Sequence, residues 1–174
     1  QGGADFHYNG GDIPLHATLF GTPWDATRRP LKWVFTMSDQ GSESYVEMAK
    51  VAVISAIRRT KLVPVCIFHG RPSETTAWLA SNGVRVIFHT PAWVHQIERA
   101  NSAMNVSQLA MHVSPLYASA GAMVSTFLRF DIPILGFVDK YVFYSDVDVM
   151  FLRDVTLRDF NPLPASPQAF MGGT

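Results

Sequence analysis

The residues best suited to chemistry in this chain are two aspartates one position apart, Asp146-Val147-Asp148. They follow the apolar run Tyr141-Val142-Phe143-Tyr144, so they stand where a buried strand leaves the core. A carboxylate at such a place is costly unless a cation or a donor-rich ligand meets it. Hard divalent ions such as Mn²⁺ and Mg²⁺ take oxygen ligands and often share them with substrate phosphates. The plainer alternative is a pair of solvated or Arg-paired aspartates, with Arg153 and Arg158 near enough in sequence to serve.

Other reactive side chains offer less. The six histidines include no His-x-x-x-His pair; His69 and His89 follow apolar runs and could line the rim of a cleft. Cys66 is the single cysteine and lies within Val65-Cys66-Ile67-Phe68. That rules out an internal disulfide and a zinc site of several thiolates, and it reads as a buried core thiol. There is no Gly-x-Ser-x-Gly elbow for an activated serine. There is also no Gly-x-Gly-x-x-Gly and no Gly-x-x-x-x-Gly-Lys-Ser/Thr. Any phosphate bound here must therefore be met by metal and Arg and not by a glycine-rich loop. Trp33 and Trp78 fall inside expected elements and read as core, while Trp24 and Trp93 could stack on sugars.

These residues need a scaffold. The chain has 174 residues, 48% hydrophobic and 16% charged, which is enough for one compact domain and unlike a disordered chain. Fourteen Lys and Arg balance fourteen Asp and Glu, so no basic surface for nucleic acid is expected. No apolar run approaches the roughly 18 residues of a membrane span. Residues 1–31, with paired glycines and three prolines, read as an irregular arm. Trp33-Val34-Phe35-Thr36 begins a strand, and Ser44-x-x-Glu47 reads as a capping box opening a helix. In that helix Tyr45, Met48, Ala49, Ala52, Val53, Ala56 and Ile57 share one face. A second strand spans Val63 to Phe68, a short helix capped by Ser73 ends at Asn82-Gly83, and a third strand spans Val84 to Phe88. Residues 91–114 suggest helical pieces without firm bounds. A helix from about Tyr117 to Phe130 precedes the fourth strand, with Pro133 and Gly136 ending the region between.

Strand, helix, strand, helix, strand at this spacing implies right-handed crossovers and a mostly parallel α/β sheet. Ligands of such sheets bind beyond the carboxyl ends of the strands, where the strand order reverses. In the order 3-2-1-4 the end of the first strand, with Thr36, Ser38 and Asp39, adjoins the end of the fourth, with Asp146 and Asp148. A nucleotide would then lie with its base near Asp39 and its phosphates near Asp148.

Three stretches, in order, resemble a GT-A nucleotide-diphospho-sugar glycosyltransferase. They are Phe35-Thr36-Met37-Ser38-Asp39 with the helix from Tyr45, the stretch from Thr126 through Arg129 to Ile132-Pro133, and Lys140 to Asp154 around Asp-Val-Asp. The match is closest to family 8, the glycogenin and lipopolysaccharide galactosyltransferase type, with similar Ser-Asp-Val-Asp-Val strings in family 77. It covers about residues 32–160 and leaves 161–174 as the start of an acceptor-side region. The resemblance implies a Rossmann-like GT-A fold. It implies a hexosyl- or pentosyltransferase that moves a sugar from a UDP-sugar to an acceptor hydroxyl on a glycan, lipid or protein, with retention. It assigns Mn²⁺ (or Mg²⁺) to Asp148 and Asp146, nucleotide-sugar contacts to Thr36, Ser38, Asp39, Asp146 and Val147, and a place near the pyrophosphate to Arg129.

The chain departs from the family at Val147, bulkier than usual, and at Ser145, where an apolar residue is usual. The family's downstream half, with acceptor contacts and a metal-binding His, has no counterpart here. The first residue is Gln1 and the end is abrupt, so both ends read as boundaries of a longer protein, with room for an anchor upstream. For a eukaryotic, anchored source the resemblance implies the Golgi lumen, otherwise the cytoplasm. Two alternatives stand beside the transferase. One is a nucleotide-sugar-binding module without catalysis. The other is a haloacid-dehalogenase-type phosphatase, which also uses Asp-x-Asp after a parallel strand. Against the phosphatase, its motif lies near the start of its domain, and it expects Thr or Val where Met150 stands.

Overall fold

A computed structural model describes residues 30–96, 99 and 120–160. The helical pieces suggested over most of 97–114, the start of the helix at Tyr117, the 161–174 region and nearly all of the arm, including Trp24, lie outside the described residues.

The fold is α/β and Rossmann-like. Four strands, β1 (Lys32–Ser38), β2 (Val63–His69), β3 (Arg85–Phe88) and β4 (Phe143–Tyr144), form one sheet in the order β3-β2-β1-β4. The sequence pattern suggests a mostly parallel sheet; all four strands are parallel. β1 runs through the middle and is buried from Trp33 to Ser38. It pairs with β2 along its length, Lys32 opposite Val63 through Ser38 opposite His69. Its other side pairs with β4 at Trp33–Phe143 and Val34–Tyr144.

Side-chain alternation along β1 divides the core. Trp33, Phe35 and Met37 pack with Cys66 and Phe68 of β2 on one face, under helix α1 (Glu43–Arg59) and helix α2 (Glu74–Ser81). Val34, Val65 and Ile67 face the other way, under helix α3 (Ala120–Phe127) and the 3₁₀ segment Leu128–Ile134. Both of the first two crossovers lie on one face and the return to β4 lies on the other. Reversal of strand order between β1 and β4 follows from that change of face.

α1 buries Ala49, Ala52, Val53 and Ala56, three of them small enough to let the helix lie close to the sheet. The expected face was too wide: Met48 and Ile57 are exposed. The expected cap is also displaced. Ser42, not Ser44, is the N-cap, its backbone extended at φ −66° and ψ 156°, and its hydroxyl accepts from the Tyr45 N–H at 3.3 Å. Gly41 turns the chain first, donating its N–H to the Ser38 carbonyl. Glu47 does not reach back to a cap; it pairs with Lys50 at 2.6 Å on the surface. The Ser73 cap of α2 is as the sequence suggests, a reciprocal box with Thr76, and Gly83 at φ 79° carries the chain out of the helix.

Two further expectations change in detail. The helix expected to run to Phe130 is α-helical to Phe127 and then tightens to 3₁₀ through Ile134, with Pro133 inside it. At three residues per turn Leu128 and Asp131 fall on one side, and both are buried with Ile132. Gly136 at φ 67° follows. The fourth strand pairs over two residues instead of four and is half-buried, because the chain leaves the sheet as Val147 inserts into the core. No helix among the described residues is long and apolar enough to cross a membrane.

The two candidate caps of α1 are separable by mutation. Ser42→Ala should cost about 1 kcal/mol in urea unfolding, the usual loss of an N-cap. Ser44→Ala, an exposed position one residue into the helix, should stay within about 0.5 kcal/mol.

Candidate functional site

The site is built at the carboxyl ends of β1 and β4, where the strand order reverses. Val147 is fully buried, in the cluster that holds Trp33, Phe35 and Phe151. Asp146 and Asp148, on either side of it where the chain bends, are both exposed. The chain is fixed before and after them. Before them, the Ser145 N–H donates to the Val34 carbonyl at 3.4 Å, and the Ser145 hydroxyl accepts from the Trp33 indole N–H at 2.9 Å. That contact explains a polar residue where an apolar one was expected. After them, the Phe151 N–H donates to the Ser55 hydroxyl of α1 at 3.0 Å, and the Phe151 ring meets Trp33 edge-on at 4.9 Å.

The two carboxylates differ in their partners. Asp146 Oδ1 accepts from the Tyr144 hydroxyl at 2.6 Å, and Asp146 Oδ2 lies 3.7 Å from Arg129 Nη1. The Arg129 guanidinium also sits 5.7 Å from the centre of the Tyr144 ring. Asp148 makes no hydrogen bond or ion pair among the described residues. Arg153, a candidate partner from its position, instead donates to Asp159 at 2.8 Å.

The β1 residues divide by depth. Asp39 is exposed beyond the strand; its N–H donates to the His69 carbonyl, and its Oδ2 accepts from the Arg71 N–H at 3.2 Å. Gly70 makes that approach possible. Its φ is 123°, and a β-carbon there would overlap the Asp39 carboxyl group. Thr36 and Ser38 are buried, with hydroxyls already committed. Thr36 Oγ1 donates to the Ser125 carbonyl at 3.0 Å and lies 3.4 Å from the Tyr144 hydroxyl. Ser38 accepts from the Ser125 hydroxyl at 2.7 Å. The structure thus brings Asp146 and Arg129 together, leaves Asp148 exposed two residues on, sets Asp39 at the end of the neighbouring strand, and buries Thr36, Ser38 and Val147.

Sequence reasoning missed Tyr144, Tyr45 and Ser125. Tyr144 was detectable, because it lies two residues before Asp146 and so on the same side of the strand. Ser125 stands one helical turn before Arg129. Tyr45 donates its hydroxyl to the Thr36 carbonyl at 3.3 Å. Burial, then the charge of Asp146 with smaller help from Tyr144, Cys66 and Asp148, holds its phenol above the ordinary range. Burial chiefly, with the hydrogen bond to Asp146, pushes Tyr144 up to about 12.

Asp146 and Asp148 are the oxygen donors that a hard divalent ion would use. Both carboxylates are exposed, Arg129 lies beside Asp146, and Asp148 has no hydrogen-bond or ion-pair partner among the described residues. Among the described residues no group of three or more His, Cys, Asp or Glu forms a metal cage. Mg²⁺-type ions bind through one or two carboxylates when substrate phosphates and water complete the shell. Neither histidine of the rim joins the site: His69 Nδ1 contacts the His89 carbonyl at 3.2 Å, and His89 Nε2 pairs with Asp131 at 2.7 Å. No family model, curated protein or solved structure matches this chain.

Two outcomes check the site's construction. The neutral Tyr144 phenol is the form the fold prefers, so its contribution is whole below pH 10 and is lost as pH rises from 10 towards about 12. Alkaline unfolding followed by circular dichroism should be shallower over that window in Tyr144→Phe. Gly70→Ala should destabilise the fold by about 1–3 kcal/mol, because a left-handed backbone and the Asp39 carboxylate both oppose a β-carbon.

Proposed function

We propose that this domain binds a nucleoside diphosphate-sugar together with a divalent metal, as the donor half of a GT-A glycosyltransferase. The observation that carries the reading is the pair Asp146 and Asp148, both exposed at the β1/β4 switch point, with Arg129 beside Asp146. Asp148 and Asp146 hold Mn²⁺ (or Mg²⁺), and water and diphosphate oxygens complete its shell. When bound, the ion supplies Lewis-acid neutralisation of the leaving diphosphate.

The chain's own residues do the rest. Asp39 accepts a hydrogen bond from the nucleobase, uracil in this reading. Arg129 meets phosphate charge in bidentate fashion. Thr36 and Ser38, through Ser125, hold the α3 end from which Arg129 projects. Tyr144 fixes the rotamer of Asp146. In the transfer the bond from the sugar C1 to the diphosphate breaks, with its electron pair leaving on phosphate oxygen. The acceptor hydroxyl oxygen bonds to C1, with retention of configuration. The acceptor hydroxyl proton passes to the leaving diphosphate oxygen or to solvent. A phosphatase of the Asp-nucleophile type is disfavoured, because its motif lies near the start of its domain and Met150 stands where it expects Thr or Val.

Calorimetric titration of UDP into the 174-residue chain tests the reading. Binding should appear with Mn²⁺ and vanish with EDTA. Asp148→Asn should weaken it by more than the roughly 10- to 100-fold that removal of a metal's outer partner costs. A folded wild-type chain that binds no UDP with Mn²⁺, or binds equally in EDTA, would sink the proposal.

A further inference from the structure

The two aspartates of the site are unequal, and the inequality assigns a second job to Arg129. Asp146 has both oxygens occupied: Tyr144 donates to Oδ1 at 2.6 Å, and Arg129 Nη1 faces Oδ2 at 3.7 Å. Asp148 has neither kind of partner among the described residues. A guanidinium is charged at every working pH, so Arg129 puts a fixed positive charge where a cation ligated by Asp146 would sit.

The contact is loose. At 3.7 Å it is an ion pair rather than a tight hydrogen bond, with the side chains 30% and 53% exposed. Such pairs exchange readily because water competes with both partners. The ring of Tyr144 supports the guanidinium from one side at 5.7 Å. Tyr144 therefore holds Asp146 by a short hydrogen bond, while Arg129 meets it only through the longer ion pair. A bare divalent ion arriving here meets two carboxylates and one guanidinium, and gains Asp146 only by displacing a like charge. An ion arriving with a diphosphate brings anionic oxygens that the displaced guanidinium can take. The exchange breaks no covalent bond.

We infer that Arg129 is the site's internal counter-cation: it holds the metal position at Asp146 and leaves it for a phosphate oxygen when a metal-bound diphosphate enters. It thereby selects the metal–diphosphate complex over the metal alone. This rests on the metal–diphosphate reading above.

The test uses Mn²⁺ alone, with free ion counted by its paramagnetic resonance, on the whole chain. Arg129→Gln should bind Mn²⁺ about fivefold tighter than wild type, the scale expected for removing one part-exposed like charge. Arg129→Met should do the same, and it keeps the test open if the Gln variant fails to fold. Arg129→Lys should match wild type, since the charge remains. Adding Asp146→Asn to Arg129→Gln should abolish the gain. With Mn²⁺ saturating, UDP should bind Arg129→Gln more weakly than wild type. Mn²⁺ affinity that is unchanged or lower in both neutral variants overturns the inference, as does an absence of Mn²⁺ binding in all of them. The two readings fail separately. If wild type still needs Mn²⁺ to bind UDP, the counter-cation idea alone falls. If wild type binds no UDP with Mn²⁺, the parent reading falls.

Discussion

Burial of Val147 is the constraint on which the site depends. Val147 is fully buried where the chain bends after β4, and its two neighbours are exposed. Here those neighbours are carboxylates, so the apolar contact that closes the core leaves an exposed negative charge on each side of it along the chain. A smaller residue would leave a void against Trp33 and Phe151; a polar one would bury an unpaired group. The strand needs little pairing of its own because the contact after it is strong. Two ladder positions, the indole bond to Ser145 and the Ser55 anchor of Phe151 together fix the loop.

Below the carboxylates lies a polar layer in which the hydroxyls have partners. Thr36 and Ser38 occur on the central strand, where an apolar residue would be ordinary. Their hydroxyls bind the carbonyl and hydroxyl of Ser125. Tyr144 spans from this layer to Asp146, and Tyr45 closes it from the α1 side. Among the described residues no buried side-chain polar atom lacks a partner. Satisfied polar groups in a low-dielectric setting hold their geometry, whereas a partly satisfied set would loosen it. The layer thus couples the position of α3 to the end of β1.

Much of this was legible in the sequence. Runs such as Trp33-Val34-Phe35 and Val65-Cys66-Ile67-Phe68 mark buried parallel strands, and the Ala-rich spacing of α1 marks a close-packed helix. Alternating crossovers then leave few strand orders open, and 3-2-1-4 is the one found. What escaped depends on contacts that local pattern does not encode. Ser42 and Ser44 are equally good caps by type, and the turn at Gly41 decides between them. The 3₁₀ tightening after Phe127 responds to the need to bury Leu128, Asp131 and Ile132 together. Arg129 as the partner of Asp146 needs α3 laid across the sheet, whereas proximity in sequence points to Arg153. Depth was missed too: residues at a strand's carboxyl end look alike in sequence, yet Asp39 is exposed while Thr36 and Ser38 support from beneath.

Arg129 needs an anchor of its own, because a 3₁₀ segment has poorer internal hydrogen bonds than an α-helix. Two residues on, Asp131 supplies it. Its carboxylate is buried, accepting from the Trp93 indole at 2.9 Å and pairing with His89 at 2.7 Å. Removing either donor would leave a buried carboxylate half-satisfied, which is far costlier than losing a surface pair. His89 follows β3 at one edge of the sheet, and Asp146 follows β4 at the other. The segment that carries Arg129 is therefore held at the β3 edge by a buried polar cluster and meets the β4 edge through an exposed, exchangeable ion pair. A rigid contact at one end and a loose one at the other is the arrangement a guanidinium needs if it is to change partners while its backbone stays still.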